Sequence, residues 1–399
     1  MRELLHKMPI KRRGFLAGIA TGALSAGIAG CSLQPSPEPA GDRAASSRDG
    51  STVGSNHQPG VTSMPPPAAA LVGLDLTATS RGQLIRLLQL LSSRARPSSQ
   101  VGAIGSDVTV TLAVGAGLFR PRFGLSELRP LRLTAMPRFP NDALVPSWSH
   151  GDLLLQVGAE RAETVRAELR RLLQGTGVWI RSRWSIHGFR PENQMTGDLM
   201  TTRNLFGFRE GIGNPDPTDQ ALMDQLVWVQ PDRDEPAWTA GGTYQVVRLI
   251  RMATELWDAE PVEHQEDVFG RHKQTGAPLA GKSEDQAPNF TVDPNGRITP
   301  LDAHIRRANP RTPVTQANRI LRRSYSYRQN RDTADRVDEG LIFICFQQDL
   351  ERGFATIQRR LRGEALEKYV LPFGGGYFFV LPTAPPSGYL GQQLLEAAK

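Results

Sequence analysis

The chain of 399 residues carries 47 Lys and Arg against 40 Asp and Glu, a formal net charge of +7, with 39% hydrophobic and 22% charged residues. That is enough chain for one large or two ordinary globular domains. The charges are interspersed, with no aromatic-basic RNA-binding strand, zinc finger or basic zipper, which excludes nucleic acid as the expected partner. The only cysteines are Cys31 and Cys345, and there is no Cys-x-x-Cys, which excludes structural zinc, iron–sulfur clusters and c-type haem attachment.

Lys11-Arg12-Arg13-Gly14-Phe15-Leu16 resembles a twin-arginine export signal. The apolar stretch after it, Gly14 to Gly30, is shorter than the roughly 20 residues that span a bilayer. Ile28-Ala29-Gly30-Cys31 resembles a lipobox, whose cysteine is lipidated. Residues 1–31 are therefore expected to be a leader, and the mature protein to lie outside the cytoplasm, periplasmic or at the cell surface, with membrane anchoring through Cys31. Residues 32–68 are rich in Pro, Ser, Gly, Ala and Asp and are expected to form a disordered tether.

The folded part is predicted to begin with a strand over Leu71–Leu76. A helix follows over Ser80–Leu91, with Leu84, Ile85, Leu87, Leu88 and Leu91 at helical spacing. Alternation of Val108, Val110, Leu112 and Val114 predicts a strand over Asp107–Val114. Another strand is expected at Asp152–Val157, a helix at Glu160–Leu173 and a strand near Val178–Trp184. This strand–helix–strand–strand–helix–strand order is the ferredoxin-like pattern, assigned to a domain over 69–200.

A second unit, 201–399, is expected to repeat it. Strands are predicted at Gly242–Met252, Leu341–Phe346 and Tyr377–Leu381, the last after the triplet Gly374-Gly375-Gly376. Helices are predicted at Ala253–Ala259 and Leu350–Leu361. The polar stretch between about 260 and 335 reads as long loops, which in a compact domain usually carry function.

Two clusters carry chemistry. His304-Ile305-Arg306-Arg307-Ala308-Asn309-Pro310-Arg311 sets one imidazole among guanidinium groups, with Arg322 eighteen residues beyond His304. An imidazole can be an axial ligand to iron, and arginine forks pair with carboxylates such as porphyrin propionates. Gly207-Phe208-Arg209-Glu210-Gly211-Ile212-Gly213-Asn214-Pro215 places a carboxylate among glycines that let backbone approach a ligand. Glu210 there is a candidate general acid/base.

These segments, with Gly241 to Arg248, Gly270-Arg271-His272-Lys273, Gly276 to Leu279, Arg319 to Arg323 and Phe373 to Phe379, resemble the dye-decolorizing peroxidase family, most closely its exported deferrochelatase/peroxidase branch. The resemblance covers about residues 70–395. It implies an α+β fold of two ferredoxin-like halves, of the dimeric α+β barrel type, with the haem pocket in the C-terminal half. It implies non-covalent haem b, with His304 as proximal iron ligand, Arg322 as distal arginine and Glu210 as distal acid. Gly211, Ile212, Arg271, Asn309, Pro310 and Arg311 would line the haem or its propionates, and Asp349 is a candidate partner for His304.

The chain departs from the family pattern in having Glu210 for the usual Asp and Ile212 for the usual Thr. The expected activity is oxidation of dyes, phenols or similar organic donors by hydrogen peroxide in one-electron steps, with Tyr325 and Tyr327 as candidate electron relays. Two alternatives share the pocket: a deferrochelatase that frees iron from haem, with iron-uptake components as partners, and a non-catalytic haem-binding lipoprotein. A homo-oligomer is expected.

Overall fold

The computed structural model describes residues 57–95, 108–190, 202–330 and 337–398, all within one compact unit, Thr52–Lys399. The expected leader and Cys31 lie outside the described residues. No helix among those described is long and apolar enough to cross a membrane.

The N-terminal half follows its prediction. β1 (Ala68–Leu76), α1 (Arg81–Ala95), β2 (Thr109–Gly115), β3 (Leu153–Ala159), α2 (Ala162–Leu173) and β4 (Ile180–Phe189) come in ferredoxin-like order. The helices form because their apolar residues share one face. Leu84, Leu87, Leu88 and Leu91 of α1 are buried, as are Val165, Leu169 and Leu172 of α2. Each such side chain contributes about 1.5–3 kcal/mol of burial. Ser80 Oγ accepts from Gln83 N at 3.3 Å and starts α1.

The C-terminal half repeats the plan with β5 (Thr243–Met252), β6 (Leu321–Arg322), β7 (Tyr325–Asn330), β8 (Val337–Gln347) and β9 (Val370–Val380). The region expected to be loop therefore contains β6 and β7, as well as the short helices Val262–Phe269, His304–Ala308 and Pro313–Gln316. Residues 350–361 are helical as expected, but Glu351–Ala355 is a π turn before the α-helix Thr356–Leu361.

The glycine triplet lies inside β9 rather than before it. Ala143 N, Val145 N and His150 N donate to Pro372 O, Phe373 O and Gly375 O, so a loop runs directly over this strand. A Cβ on Gly374 would strike Trp148, and one on Gly376 would crowd His150.

The strand order is β5-β9-β2-β3-β1-β4-β7-β8-β6, and a β5–β8 pairing closes it into a ring. Two seams join the halves. β2 pairs with β9 from Ala113↔Val380 to Gly115↔Phe378, whereas β4 meets β7 only at Phe189↔Ser326. Strand alternation then sorts the core. Leu71, Ala113, Leu154, Ile186, Leu249, Tyr327, Ile344 and Phe378, drawn from both halves, form one cluster inside the ring. Val72, Leu112, Leu155 and Val246 face outward into a second cluster, which includes the leucines of the two helices. Tyr325 and Tyr327 are buried within the inner cluster. Neither lines the cavity described below.

The expected tether is too long at its C-terminal end. Gln58 and Val61 are buried, because this segment packs against β2 and the inner cluster.

One buried ion pair anchors the β2–β3 connection to the second half. Arg248 on β5 pairs with both carboxylate oxygens of Asp142, and both side chains are at most 2% exposed. Removing one partner strands the other charge. Arg248→Met is expected to destabilise the protein by about 3–5 kcal/mol, and adding Asp142→Leu should recover much of that loss in urea unfolding. A single variant as stable as the parent would contradict this role.

Candidate active site

The outward face of β5, β8 and β9 forms the floor of a cavity of about 290 Å³. That is roughly twenty times the space one ordered water needs, so it is large enough for a cofactor. His304, Glu210 and Arg322, far apart in sequence, all line it, with Ile212, Arg271, Asn309 and Arg311. Gly211 and Pro310 do not; they shape the backbone on either side. Apolar walls come from Phe269, Phe343, Phe354, Ile357 and Leu366, among others.

His304 opens the short helix His304–Ala308. Its Nδ1 lies 2.6 Å from Glu364 Oε2, a carboxylate only 8% exposed. Nδ1–H donates to Glu364, which leaves the Nε2 lone pair for a metal. Burial opposes protonation of the imidazole, but Glu364, through its charge and hydrogen bond, outweighs it and holds the pKa above the ordinary histidine value. Arg322 and Glu210 also act on the same ring, in opposite senses.

Glu364 was not singled out in the sequence. The candidate there, Asp349, instead accepts from Arg352 N at 2.9 Å and starts the helical turn over 350–361. Glu364→Ala is expected to weaken haem binding by about 10–100-fold, measured by titrating haem into haem-free protein; unchanged affinity would contradict the pairing.

Glu210 closes a tight hairpin. Asn204 N donates to Phe208 O and Glu210 N to Thr202 O, while Asn204 Oδ1 accepts from Phe206 N and Phe208 N. The Asn204 amide then donates to Glu210 Oε1 at 2.9 Å. The longer side chain is thus held at one oxygen by the turn that presents it, and Oε2 has no hydrogen-bond partner among the described residues. Gly211 follows at φ +86° with open space around it, so it is required for backbone conformation and not for room.

Arg322 is fixed from several sides. Its backbone N–H and C=O both bond Asn214, at 3.1 and 2.9 Å, and its Nη2 donates to Ile212 O at 2.7 Å. Ile212 therefore contributes its carbonyl to the site, a role any side chain at this position allows.

Arg311 adopts φ +61°, a strained conformation for a non-glycine residue. The turn is pinned by Asn309 Oδ1, which accepts from Arg311 N at 3.0 Å and Thr315 Oγ1 at 2.9 Å. Arg311 Nε is buried without a hydrogen-bond partner among the described residues. Arg271 is buried, donates to Gly276 O at 2.7 Å, and has its pKa pushed down to about 10 by burial and by Arg311 and Arg322. This donor set fits the expected cofactor. An unsatisfied guanidinium N–H and several mutually repelling arginines call for carboxylates, which the propionates of a flat apolar porphyrin would supply.

Two family models match the chain: the Dyp-type peroxidase N-terminal model over residues 58–190 and the C-terminal model over 201–385. A deferrochelatase of Yersinia pestis is 44% identical over 363 residues, covering 86% of this chain and 84% of its own. One from Escherichia coli is 43% identical, covering 85% and 86%. Among solved structures, the oxyferrous complex of DtpA from Streptomyces lividans is 34% identical with a TM-score of 0.77, over 86% of this chain and 96% of that one. A DyP-type peroxidase from Cellulomonas bogoriensis gives 34% and 0.77 over 86% and 97%.

Proposed function

The chain belongs to the Dyp-type peroxidase family of haem-dependent enzymes, and on that premise we propose that the cavity holds non-covalent haem b with His304 Nε2 as the protein ligand of the iron. Glu210 and Arg322, which line the same cavity, would then serve hydrogen peroxide. The observation that carries this reading is the convergence of three groups on one apolar cavity: a histidine backed by a carboxylate, a second carboxylate held at one oxygen, and an anchored guanidinium.

When bound, haem supplies the redox chemistry, a two-electron reduction of peroxide balanced by two single electrons from an organic donor. The residues of the chain do the rest. Glu364 fixes the tautomer and plane of His304 and makes its free nitrogen a stronger donor. With haem in place, Glu210 Oε2 would take a proton from one oxygen of hydrogen peroxide and return it to the other as the O–O bond breaks, so that water departs. Arg322 holds positive charge where negative charge develops on the separating oxygens, without reorganising, because Asn214 and Ile212 already fix it. Arg271 and Arg311 would hold the propionates, and the apolar walls would exclude water.

The name of the curated relatives favours a second reading, release of iron from haem. Haem-loaded protein mixed with peroxide and a phenol or anthraquinone dye separates the two. Oxidised donor with an intact haem spectrum supports the peroxidase. Metal-free porphyrin fluorescence without donor oxidation supports iron release, and neither product contradicts both. The same proposal places the protein outside the cytoplasm with lipidated Cys31 as anchor; its support is the leader pattern of residues 11–31.

A further inference from the structure

The segment ahead of β1 does more than lead into it. His57 stacks on Trp228 with ring centroids 3.7 Å apart and planes 3° from parallel. The Gln58 amide donates to Leu112 O at 2.9 Å and Leu381 O at 2.7 Å, and its oxygen accepts from Leu112 N at 2.9 Å. Leu112 lies on β2 and Leu381 directly follows β9, so one buried side chain bridges the seam between the halves. Pro59 O accepts from Thr111 Oγ1 at 2.6 Å. Gly60 turns at φ +89°, where a Cβ would collide with Thr111 Oγ1. Val61 is fully buried in the inner cluster.

The next contact reaches the residue beside Arg322. Val61 O and Thr62 O accept from Arg323 Nε and Nη2, both at 3.1 Å. Arg323 is 8% exposed, and these carbonyls are its side-chain acceptors among the described residues. Burial and the nearby Arg190 push its pKa down to about 10. A buried cation needs such acceptors, so the two segments are tied together. Arg323 immediately follows Arg322 in chain, and its N–H donates to Ile344 O of β8 at 2.8 Å. β6 is only two residues long, so the strap adds a hold on its C-terminal side to those of Asn214 and β8.

We infer that residues 57–62 and Arg323 form a clasp that positions Arg322, the strap carbonyls fixing the end of β6 so that the neighbouring guanidinium points into the cavity. Arg323 is a positioning residue. It does not line the cavity. The inference rests on the distal role proposed for Arg322.

A double-mutant cycle on the full chain tests it. The readouts are the peroxide reaction of haem-loaded protein, fluoride affinity of the ferric protein, and hydrogen exchange of amides 321–323 in haem-free protein. Arg323→Met is expected to slow the peroxide reaction and weaken fluoride roughly 10–100-fold, with faster exchange. On an Arg322→Leu background it should add nothing, because the two residues act in series. Equal losses in both backgrounds, or an Arg323→Met rate within about twofold of the parent beside a slow Arg322→Leu, would overturn the clasp. An Arg322→Leu variant as fast as the parent would sink the distal assignment itself. If Arg323→Met does not fold, Gly60→Val displaces the strap with both arginines retained, and the same outcomes decide.

Discussion

Glu210→Gln should react with hydrogen peroxide on the order of 10²–10⁴-fold more slowly than the parent while keeping its haem. The substitution keeps the length of the side chain and an oxygen for the Asn204 amide, which donates to Glu210 Oε1 at 2.9 Å. It removes the one property the mechanism needs, the capacity to accept and return a proton. The rate is read from the Soret change on rapid mixing, with haem content and thermal midpoint as controls. Because Asn204 fixes the carboxylate, the extra methylene relative to the usual Asp is accommodated by the hairpin and not left mobile. Asn204→Ala should therefore lose part of the same rate with the carboxylate still present. A Glu210→Gln rate near that of the parent would remove Glu210 from the chemistry.

Arg322→Leu should cost about 10²–10³ in the same rate. Its guanidinium is an anchored positive charge of the cavity, fixed through Ile212 O and Asn214, so its field requires no reorganisation when charge develops. Leucine keeps much of the apolar stem and deletes that field. Fluoride affinity should fall in parallel, since the bound anion draws on the same donor. A slow peroxide rate with unchanged fluoride binding would mean that Arg322 acts by shape and not by charge.

Much of this was legible in the residues, for identifiable reasons. The N-terminal half follows its periodicity because each helix buries one stripe and each strand alternates between two apolar environments. β6 and β7 were not seen, although Tyr325 and Tyr327 alternate with Ser324 and Ser326 in a strand period. They lie in an arginine-rich stretch whose composition reads as loop, and pairing with β8 overrides it. The glycine triplet of β9 reads as a break; only the loop packed on top of it explains why a strand there lacks side chains.

His304, Glu210 and Arg322 stand in motifs and were found together. Glu364 was missed because it lies 60 residues from His304 in Arg362-Gly363-Glu364, with no spacing rule to connect them. Asn204 and Asn214 are similar cases. Each holds a catalytic candidate through a hydrogen bond that exists only once the chain has turned. The role of residues 57–62 was hidden by composition, since Gln58, Gly60 and Thr62 read as tether and only Val61 is apolar.

The central claim is that His304 holds iron inside this cavity, and the most direct test is the absorption spectrum of His304→Gly loaded with haem, with and without added imidazole. The variant should lose the histidine-ligated ferric spectrum and its peroxide reactivity, and imidazole, filling the vacated space beside Glu364, should restore both in large part. A His304→Gly protein with the parent's haem affinity and spectrum in the absence of imidazole would contradict it.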